Sequence, residues 1–183
     1  MVRLEVKHFH QPRDLYCIPT SLKMAIDYTV GAFNIKCKVL SISKIAKMTK
    51  TTDRDGTAPK AVENVNEFLR KAKPPISVRY HEGGKFPEIE KEVNEKNLPV
   101  IVLLNQVPLP KRVWHSVVVV DYDPENHMVF FDDPEEDDKN CIQSLEVGDF
   151  TRKWGWQARW VQVLLSKGQT YIDGYANNRG LQK

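Results

Sequence analysis

The sequence predicts an α+β domain in which helices come first and a mostly antiparallel sheet follows. One-sided apolar stripes at helical spacing dominate the first half, most clearly over residues 58–72. Short runs rich in Val, Ile and aromatic residues, separated by turn residues, fill the second half. Helices followed by strands, rather than alternating with them, are typical of the α+β class. We expect a single domain over residues 1–168 and a polar C-terminal tail, prone to fraying, over residues 169–183.

Five segments are predicted to be helical. They are residues 18–31, 41–48, 58–72, 86–96 and 146–156. Pro19 suits the first turn of the first helix, where its missing N–H costs nothing. A serine, Ser41 or Ser43, is expected to cap the second helix, and Asp149 is expected to cap the last. The predicted helix over residues 18–31 has a chemical consequence, because it puts Cys17 at a helix N-terminus.

Six segments are predicted to be strands. They are residues 3–9, 76–80, 99–104, 113–123, 127–132 and 158–166. The first alternates apolar and polar residues, and the later ones are rich in β-branched and aromatic side chains. The tetrapeptide DPEN at 123–126 is typical of a hairpin turn, so the strands on either side of it are expected to pair.

Composition excludes several classes of function. The chain has 27 Lys and Arg against 24 Asp and Glu, an excess too small and too scattered to indicate a nucleic-acid partner. No apolar run approaches the roughly 20 residues of a membrane-spanning helix, and the N-terminus lacks the apolar core of a secretory signal. The cysteines number three, which is odd and argues for a reducing compartment, so a cytoplasmic protein is expected. No CxxC motif occurs, which argues against a structural zinc ribbon. We expect neither a metal nor a cofactor.

Cys17 is a candidate nucleophile because of its place in the chain. The unpaired backbone N–H groups and the dipole at a helix N-terminus stabilise an anion, and the thiolate is the nucleophilic form of cysteine. The same N–H groups can donate to an oxyanion that forms beside the sulfur. Gln11 lies six residues upstream, across a turn, and its side-chain amide can supply a further, neutral donor to that oxyanion.

A nucleophilic cysteine needs a base, and the base needs a group that orients it. His115 lies at the start of the most apolar strand, and the hairpin that follows brings Asp132 and Asp133 back towards it. Either carboxylate can accept the imidazole N–H and stabilise the imidazolium. Because successive strand residues point to opposite faces, only one of the two can do so. We prefer Asp133, which directly precedes Pro134, and keep Asp132 as the alternate orienter.

The order of these motifs resembles the papain-like cysteine peptidases, and in particular the branch of the bacteriocin-processing, double-glycine leader peptidases. That family carries Gln, then Cys six residues on at a helix start, then His before a Val/Ile-rich strand, then Asp-Pro after a hairpin. Here the corresponding stretches are HQPRDLYCIPTSLKM, HSVVVVDYD and FFDDP. With the DGT loop and the LPVIVLLN strand between them, the resemblance spans roughly residues 5–165.

The resemblance implies both a fold and a set of roles. The fold is papain-like, with an N-terminal helical part that carries the Cys helix packed on a C-terminal, mostly antiparallel sheet that carries His and Asp. The implied roles are oxyanion donor for Gln11, nucleophile for Cys17, base for His115 and orienter for Asp133.

Simpler interpretations of the same residues remain open. Free cysteines are among the most buried residue types, so Cys17 taken alone would be a structural thiol. His8 and His10 lie on the same face of a predicted strand and with Cys17 offer three zinc ligands, although the spacing matches no standard motif. Trp114, beside His115, is either a wall of the substrate site or a packing residue.

Three functions are consistent with the pattern. The first is a cysteine hydrolase that cleaves a peptide or isopeptide bond in a peptide or protein substrate. The second is acyl transfer to an amine, since transglutaminase-like proteins also carry Cys, His and Asp in this order. The third is a non-catalytic module that holds a peptide in the same cleft. The short Gln-to-Cys spacing favours the first, and the presence of all four catalytic residue types weakens the third.

Overall fold

The computed structural model describes residues 3–73, 75–106 and 113–165. The predicted tail, residues 169–183, lies outside the described residues. One continuous cluster of buried apolar side chains packs the helices onto a six-stranded antiparallel sheet, so the predicted α+β class is confirmed. Among the described residues, no helix combines the length and the apolar character that crossing a bilayer requires.

The helices lie close to the predicted positions. Within the described residues the α-helices are α1 (Cys17–Ala32), α2 (Ile42–Met48), α3 (Asn66–Leu69), α4 (Phe86–Glu90) and α5 (Val147–Trp154). A 3₁₀-helix over Pro59–Val65 leads into α3, and a π-helical turn over Lys91–Glu95 follows α4. Of the two serines considered as caps for α2, Ser41 accepts a hydrogen bond from the backbone N–H of Lys44 (3.2 Å).

The strands form one sheet in the order β1-β6-β2-β3-β4-β5, with every neighbouring pair antiparallel. They are β1 (Ile76–His81), β2 (Val100–Gln106), β3 (Val113–Asp123), β4 (Met128–Asp132), β5 (Ile142–Glu146) and β6 (Trp160–Leu165). The sequence pattern missed β5. Its side chains alternate between exposed and half-buried, so it lacks the apolar run that marked the other strands.

The central strand β3 is buried on both faces. The four valines at 117–120 are each at most 1% exposed. Since successive strand residues point to opposite faces, elements must cover both sides of β3. The helix α1 packs against β2 and β3, and α5 packs against β2, β4 and β5. The strand that carries His115 is therefore held firmly within the domain.

The predicted hairpin joins β3 to β4. The carboxylate of Asp123 accepts the backbone N–H groups of Glu125 (2.9 Å) and Asn126 (3.2 Å), the arrangement by which an aspartate closes a turn. After a bulge near the middle of β3, the register pairs Asp132 with Val118. The chain just beyond β4 consequently approaches the part of β3 that carries the candidate base.

Residues 3–9 do not form a strand, contrary to the prediction. The N–H of Leu4 donates to the carbonyl of Val120 (3.0 Å), but the N–H of Val6 turns back onto the carbonyl of Leu4 (2.9 Å). This local bond uses a group that a ladder to β3 would need, so the segment runs beside the sheet without joining it.

A helix occupies much of residues 58–72, but it is not the continuous α-helix that was predicted. It begins as a 3₁₀-helix and becomes α-helical only in α3. The carboxamide of Asn66 bonds to both the N–H (2.7 Å) and the carbonyl (2.8 Å) of Val78 in β1. The carboxylate of Glu63 accepts the N–H of Tyr80 (3.0 Å). These side chains cover the open edge of β1, a constraint that apolar spacing does not register.

Two other helix predictions were inaccurate in detail. The segment 86–96 is α-helical only in its first half and then widens into the π-helical turn. Asp149 does not cap α5. The helix begins directly after Glu146 without a side-chain cap, and Asp149 lies in its first turn, paired with Arg152.

Candidate active site

Cys17 is the first residue of α1, as the sequence indicated, and it is 7% exposed. The preceding Tyr16 offers no side-chain cap, and the first turn contains no acidic residue. Because Pro19 has no N–H, the unpaired backbone donors of this turn belong to Cys17 and Ile18. Nothing on the helix itself neutralises the positive end of its dipole, which therefore acts on the Cys17 thiol.

A buried pair of hydroxyls fastens α1 to β3 beside the site. Ser21, one turn after Cys17, lies 3.1 Å from the hydroxyl of Ser116 and donates to the Ser116 carbonyl at 3.3 Å. Both serines are completely buried. Since Ser116 is the neighbour of His115 in β3, these bonds hold Cys17 and His115, the candidate nucleophile and base, in a fixed relation. The sequence analysis missed both serines, whose spacing gives no signal.

The imidazole of His115 lies between a carboxylate and a thiol. Its Nε2 is 2.6 Å from Oδ1 of Asp133. The Cys17 thiol is near enough to the same ring to be influenced by its charge, and Nδ1 is the nitrogen left for the sulfur. The same Asp133 oxygen accepts the backbone N–H of Glu135 (2.9 Å), and the Asp133 N–H donates to the carbonyl of Cys141 (2.8 Å). These two backbone bonds orient the Asp133 carboxylate independently of its bond to the ring.

The electrostatics favour a thiolate–imidazolium pair. Burial disfavours the charged thiolate, but the hydrogen bond and positive charge of His115, with bonds from Ser116, hold the pKa of Cys17 below its ordinary value. Burial likewise disfavours the imidazolium, but the hydrogen bonds to Asp133 and Cys17 raise the pKa of His115 to about 10. The two shifts agree in direction, since each charge stabilises the other.

The other two cysteines lie in surroundings of the opposite character. Burial and the nearby charge of Asp27 raise the pKa of Cys37. Burial and the nearby charge of Asp132 raise the pKa of Cys141. Among the three thiols, only that of Cys17 is shifted towards the reactive form at neutral pH.

Asp132, the alternate orienter, is turned towards a different histidine. Its Oδ1 lies 2.6 Å from Nδ1 of His8, and its side chain is 1% exposed. His10 bonds through its ring to the carbonyl of Glu136 (3.0 Å). Within the described residues, Cys17 belongs to no group of metal-ligating side chains, so the zinc set of His8, His10 and Cys17 is not assembled.

Gln11 is brought to the site by the loop that carries Asp133. Its backbone N–H donates to the carbonyl of Pro134 at 2.7 Å. The side chain is buried, and its Oε1 has no hydrogen-bond partner among the described residues. This unpaired oxygen is an acceptor, so a ligand that completes its bonding must donate to it, whereas an oxyanion would be bound by the amide nitrogen.

Trp114 is adjacent to His115 on β3, but its ring has a contact of its own. The guanidinium of Arg159 lies 4.9 Å from the centre of the ring, and the indole packs against the core. Neighbouring residues of a strand point to opposite faces, so this ring and the imidazole of His115 diverge. These contacts are those of a packing residue.

A cation could compete for His115, the candidate base. His115, Asp133 and Glu135 each offer one ligand atom, and these atoms lie within 4.8 Å of one another. Glu135 is exposed, with Oε2 3.9 Å from Nδ1 of His115. A divalent ion bound there would replace the imidazolium proton. We therefore expect it to inhibit the reaction of the Cys17 thiolate and not to assist it.

The family model of the Peptidase_C39 like family matches residues 3–160. The chain belongs to this family. A search of curated protein sequences found no significant match. The relationship inferred from the Gln, Cys, His and Asp-Pro motifs is therefore confirmed at the level of the family.

Solved structures agree with the assignment of this chain to the C39-like family. A protein from Bacillus anthracis described as C39-like peptidase matches with a TM-score of 0.66 and 18% identity, over 90% of this chain and 98% of that chain. A double glycine motif protease from an AMS/PCAT transporter, solved in complex with the leader peptide, matches with a TM-score of 0.61 and 17% identity, over 90% of this chain and 94% of that chain. The shared fold is papain-like. Together with membership of the family, it makes this C39-like protein a cysteine peptidase.

Proposed function

We propose that this C39-like peptidase hydrolyses a peptide or isopeptide bond through a triad of Cys17, His115 and Asp133, with Gln11 as an oxyanion donor. The observation that carries the proposal is the 2.6 Å hydrogen bond between the Asp133 carboxylate and the imidazole of His115, with the Cys17 thiol near the same ring. A nucleophile, a base that can hold its proton, and a group that orients the base are the three parts that covalent catalysis of this kind requires.

The first half of the reaction forms an acyl-enzyme. The thiolate of Cys17 attacks the carbonyl carbon, a C–S bond forms, and the carbonyl oxygen becomes negatively charged. The backbone N–H of Cys17 and the side-chain amide of Gln11 donate to that oxygen. The C–N bond then breaks as Nδ1 of His115 gives its proton to the departing amine.

The second half regenerates the enzyme. His115 takes a proton from water, and the resulting hydroxide attacks the thioester carbon. The C–S bond breaks, a carboxylic acid leaves, and Cys17 returns as the thiolate beside the reprotonated imidazolium. Asp133 stays ionised throughout and stabilises the positive ring.

A peptide or protein is the substrate class that we propose. The support is the family and the structural neighbour that was solved with a leader peptide. The sequence of the bond that is cleaved would follow from incubating the protein with a peptide library and reading the products by mass spectrometry. Cleavage that persists in Cys17→Ala would contradict the proposed nucleophile.

A peptide warhead that traps thiolates provides the direct test. We expect one adduct per chain, mapped to Cys17, that is lost in Cys17→Ala and retained in Cys37→Ala, the matched control at another free cysteine. Equal labelling of the three cysteines would overturn the proposal.

The same reaction distinguishes hydrolysis from acyl transfer. With an added primary amine, a hydrolase releases mainly the free acid, whereas an acyl transferase releases the new amide. Peptide binding without either product would identify a non-catalytic module.

A further inference from the structure

A second group of ligating side chains lies next to the active site. His8, Asp132 and Cys141 bring a ring nitrogen, a carboxylate oxygen and a thiol sulfur within 4.8 Å of one another. They come from the extended N-terminal segment, the last residue of β4 and the residue that precedes β5. None of the three has a part in the proposed catalytic steps.

The carboxylate of Asp132 is incompletely bonded. Its side chain is 1% exposed, and Oδ1 is used by His8, but Oδ2 has no hydrogen-bond partner among the described residues. Leaving a buried carboxylate oxygen unpaired is unfavourable, because the water it has lost is not replaced. A cation at this position would complete the bonding of that oxygen.

The ring of His8 has the orientation of a metal ligand. Its Nε2 lies 3.2 Å from the carbonyl oxygen of Glu136. A carbonyl can only accept, so Nε2 carries the hydrogen and donates it. Metal-bound histidines almost always donate their second N–H to a carbonyl or carboxylate, which fixes the ring and its tautomer. Nδ1, on the Asp132 side, faces the cluster, and it becomes a ligand atom when the ion replaces its hydrogen bond to Asp132.

The backbone sets Asp132 and Cys141 in place before any ion arrives. The β4–β5 register pairs Asp132 with Ile142, and the N–H of Asp133 donates to the carbonyl of Cys141 (2.8 Å). Two ligands on neighbouring hydrogen-bonded strands have little freedom to separate. A site held in this way loses little conformational entropy when it binds an ion.

We propose that Nδ1 of His8, the Asp132 carboxylate and Sγ of Cys141 bind one zinc-type divalent ion, with water as a fourth ligand. Nitrogen, carboxylate oxygen and thiolate are the ligands that Zn²⁺ takes in proteins, in tetrahedral geometry. Metal–ligand bonds of about 2.0–2.3 Å require ligand atoms roughly 3.3–3.8 Å apart. His8 and Asp132 therefore move apart by about 1 Å. The thiol proton of Cys141 and the proton shared between Nδ1 of His8 and Oδ1 of Asp132 both pass to solvent.

The ion would have a structural role. His8 is three residues before Gln11, and Asp132 directly precedes Asp133. Metal binding would therefore fasten the segment that carries the proposed oxyanion donor to the strand end that carries the proposed orienter.

Cobalt titration of the full-length Cys17→Ala protein tests the site independently of peptidase activity. Removing Cys17 ensures that a thiolate-to-cobalt charge-transfer band cannot come from the active site. We expect this band, with visible d–d bands of a tetrahedral ion, to saturate at one Co²⁺ per chain and to disappear when Zn²⁺ is added. Absence of the band would overturn the proposal.

Ligand variants in the same Cys17→Ala background locate the ion. Cys141→Ser should abolish the charge-transfer band, and His8→Asn should weaken Co²⁺ binding at least tenfold. Cys37→Ser and His10→Asn, which change a cysteine and a histidine outside the cluster, should leave the titration unchanged. A band that survives Cys141→Ser or is lost in Cys37→Ser would assign the thiolate ligand elsewhere and exclude the proposed site.

Thermal unfolding gives a second readout. Zn²⁺ at a free concentration a hundredfold above its Kd should raise the Tm of the Cys17→Ala protein by roughly 5–10 °C. The Cys17→Ala/Cys141→Ser protein should show no such increase. Equal increases in the two proteins would mean that Zn²⁺ binds elsewhere, for example at His115 and Asp133, and would contradict the proposal.

Discussion

Nε2 of His115 and Oδ1 of Asp133 lie 2.6 Å apart, and neither atom is more than slightly exposed to solvent. At this distance and burial, the hydrogen bond orients the ring and stabilises its positive form. The other ring nitrogen is left for Cys17, and the positive ring helps to hold the pKa of that thiol below its ordinary value.

Two substitutions of Asp133 should lower activity to different extents. Asp133→Ala removes both the acceptor and the charge, and we expect kcat/KM to fall by about 10²–10⁴. Asp133→Asn retains an acceptor for the ring, so its kcat/KM should lie between those of Asp133→Ala and the wild type. The pH profile gives the specific readout, since the upper limit of activity should move below pH 10 as the pKa of His115 falls.

Asp138→Ala is the matched control, because its side chain is 90% exposed in the loop that follows Asp133. Its profile should follow that of the wild type. An Asp133→Ala protein with normal turnover and an unchanged pH profile would rule out the orienting role.

Alkylation of Cys17 should depend on pH differently from that of the other cysteines. Its pKa is held below the ordinary 9.0 by His115, so the rate of its reaction with iodoacetamide should level off at a lower pH than that of an ordinary thiol. The pKa values of Cys37 and Cys141 are raised, so their rates should still be increasing above pH 9. Residue-specific mass spectrometry after short pulses of reagent measures all three.

The comparison variant for this experiment is His115→Ala. Without the imidazolium, burial is the main influence left on the thiol, and the reactivity of Cys17 should shift to pH values above 9. If Cys17 and Cys141 titrate together in the wild-type protein, the ion pair does not exist.

The ion pair also predicts how the free energy of unfolding depends on pH. His115 has a pKa of about 10 when folded and 6.5 as its ordinary value, so its contribution is complete below pH 6.5 and is lost as the pH rises to 10. The contribution of Cys17 to the free energy of unfolding depends on pH with the opposite sign, since its folded pKa lies below 9.0. Its contribution is present above pH 9.0 and is lost as the pH falls. While the folded Cys17 is a thiolate, the two slopes cancel between pH 6.5 and 9.0.

Urea unfolding of the wild type and of Cys17→Ala/His115→Gln at several pH values measures this difference. We expect the difference to be flat just below pH 9, where the two slopes cancel, and to fall above pH 9, at up to about 1.4 kcal/mol per pH unit. A steady decline that starts near pH 6.5 would mean that the folded Cys17 is protonated.

Gln11→Ala should affect the chemical step more than binding. Removing one oxyanion donor typically lowers kcat by about 10²–10³, and KM should change little because the donor acts on charge that develops in the transition state. Steady-state kinetics on a cleaved peptide measure the two separately. His10→Asn is the neighbouring control, since its exposed ring bonds only to the Glu136 carbonyl in the described contacts. A Gln11→Ala variant that changes KM alone would assign this residue to substrate binding.

Much of the fold could be predicted because it depends on local periodicity. The start of α1 at Cys17, the cap at Ser41 and the β3–β4 hairpin all follow from residues near one another in the chain. The failures occurred where apolar spacing does not reveal how the backbone is hydrogen-bonded. The segment 3–9 has a strand pattern, but its own backbone bond keeps it out of the sheet, and β5 is a strand despite its weak apolar pattern.

The sequence by itself determined which side chains are available for chemistry, their order, and the helix start beneath the thiol. Only the tertiary structure decided how these groups combine. His8 meets Asp132 across 124 residues, while Asp133 turns to His115. Asp132 and Asp133 are adjacent in the chain, and their side chains are chemically identical. Their directions depend on the register of β4 and on the loop beyond it, which side-chain spacing cannot specify.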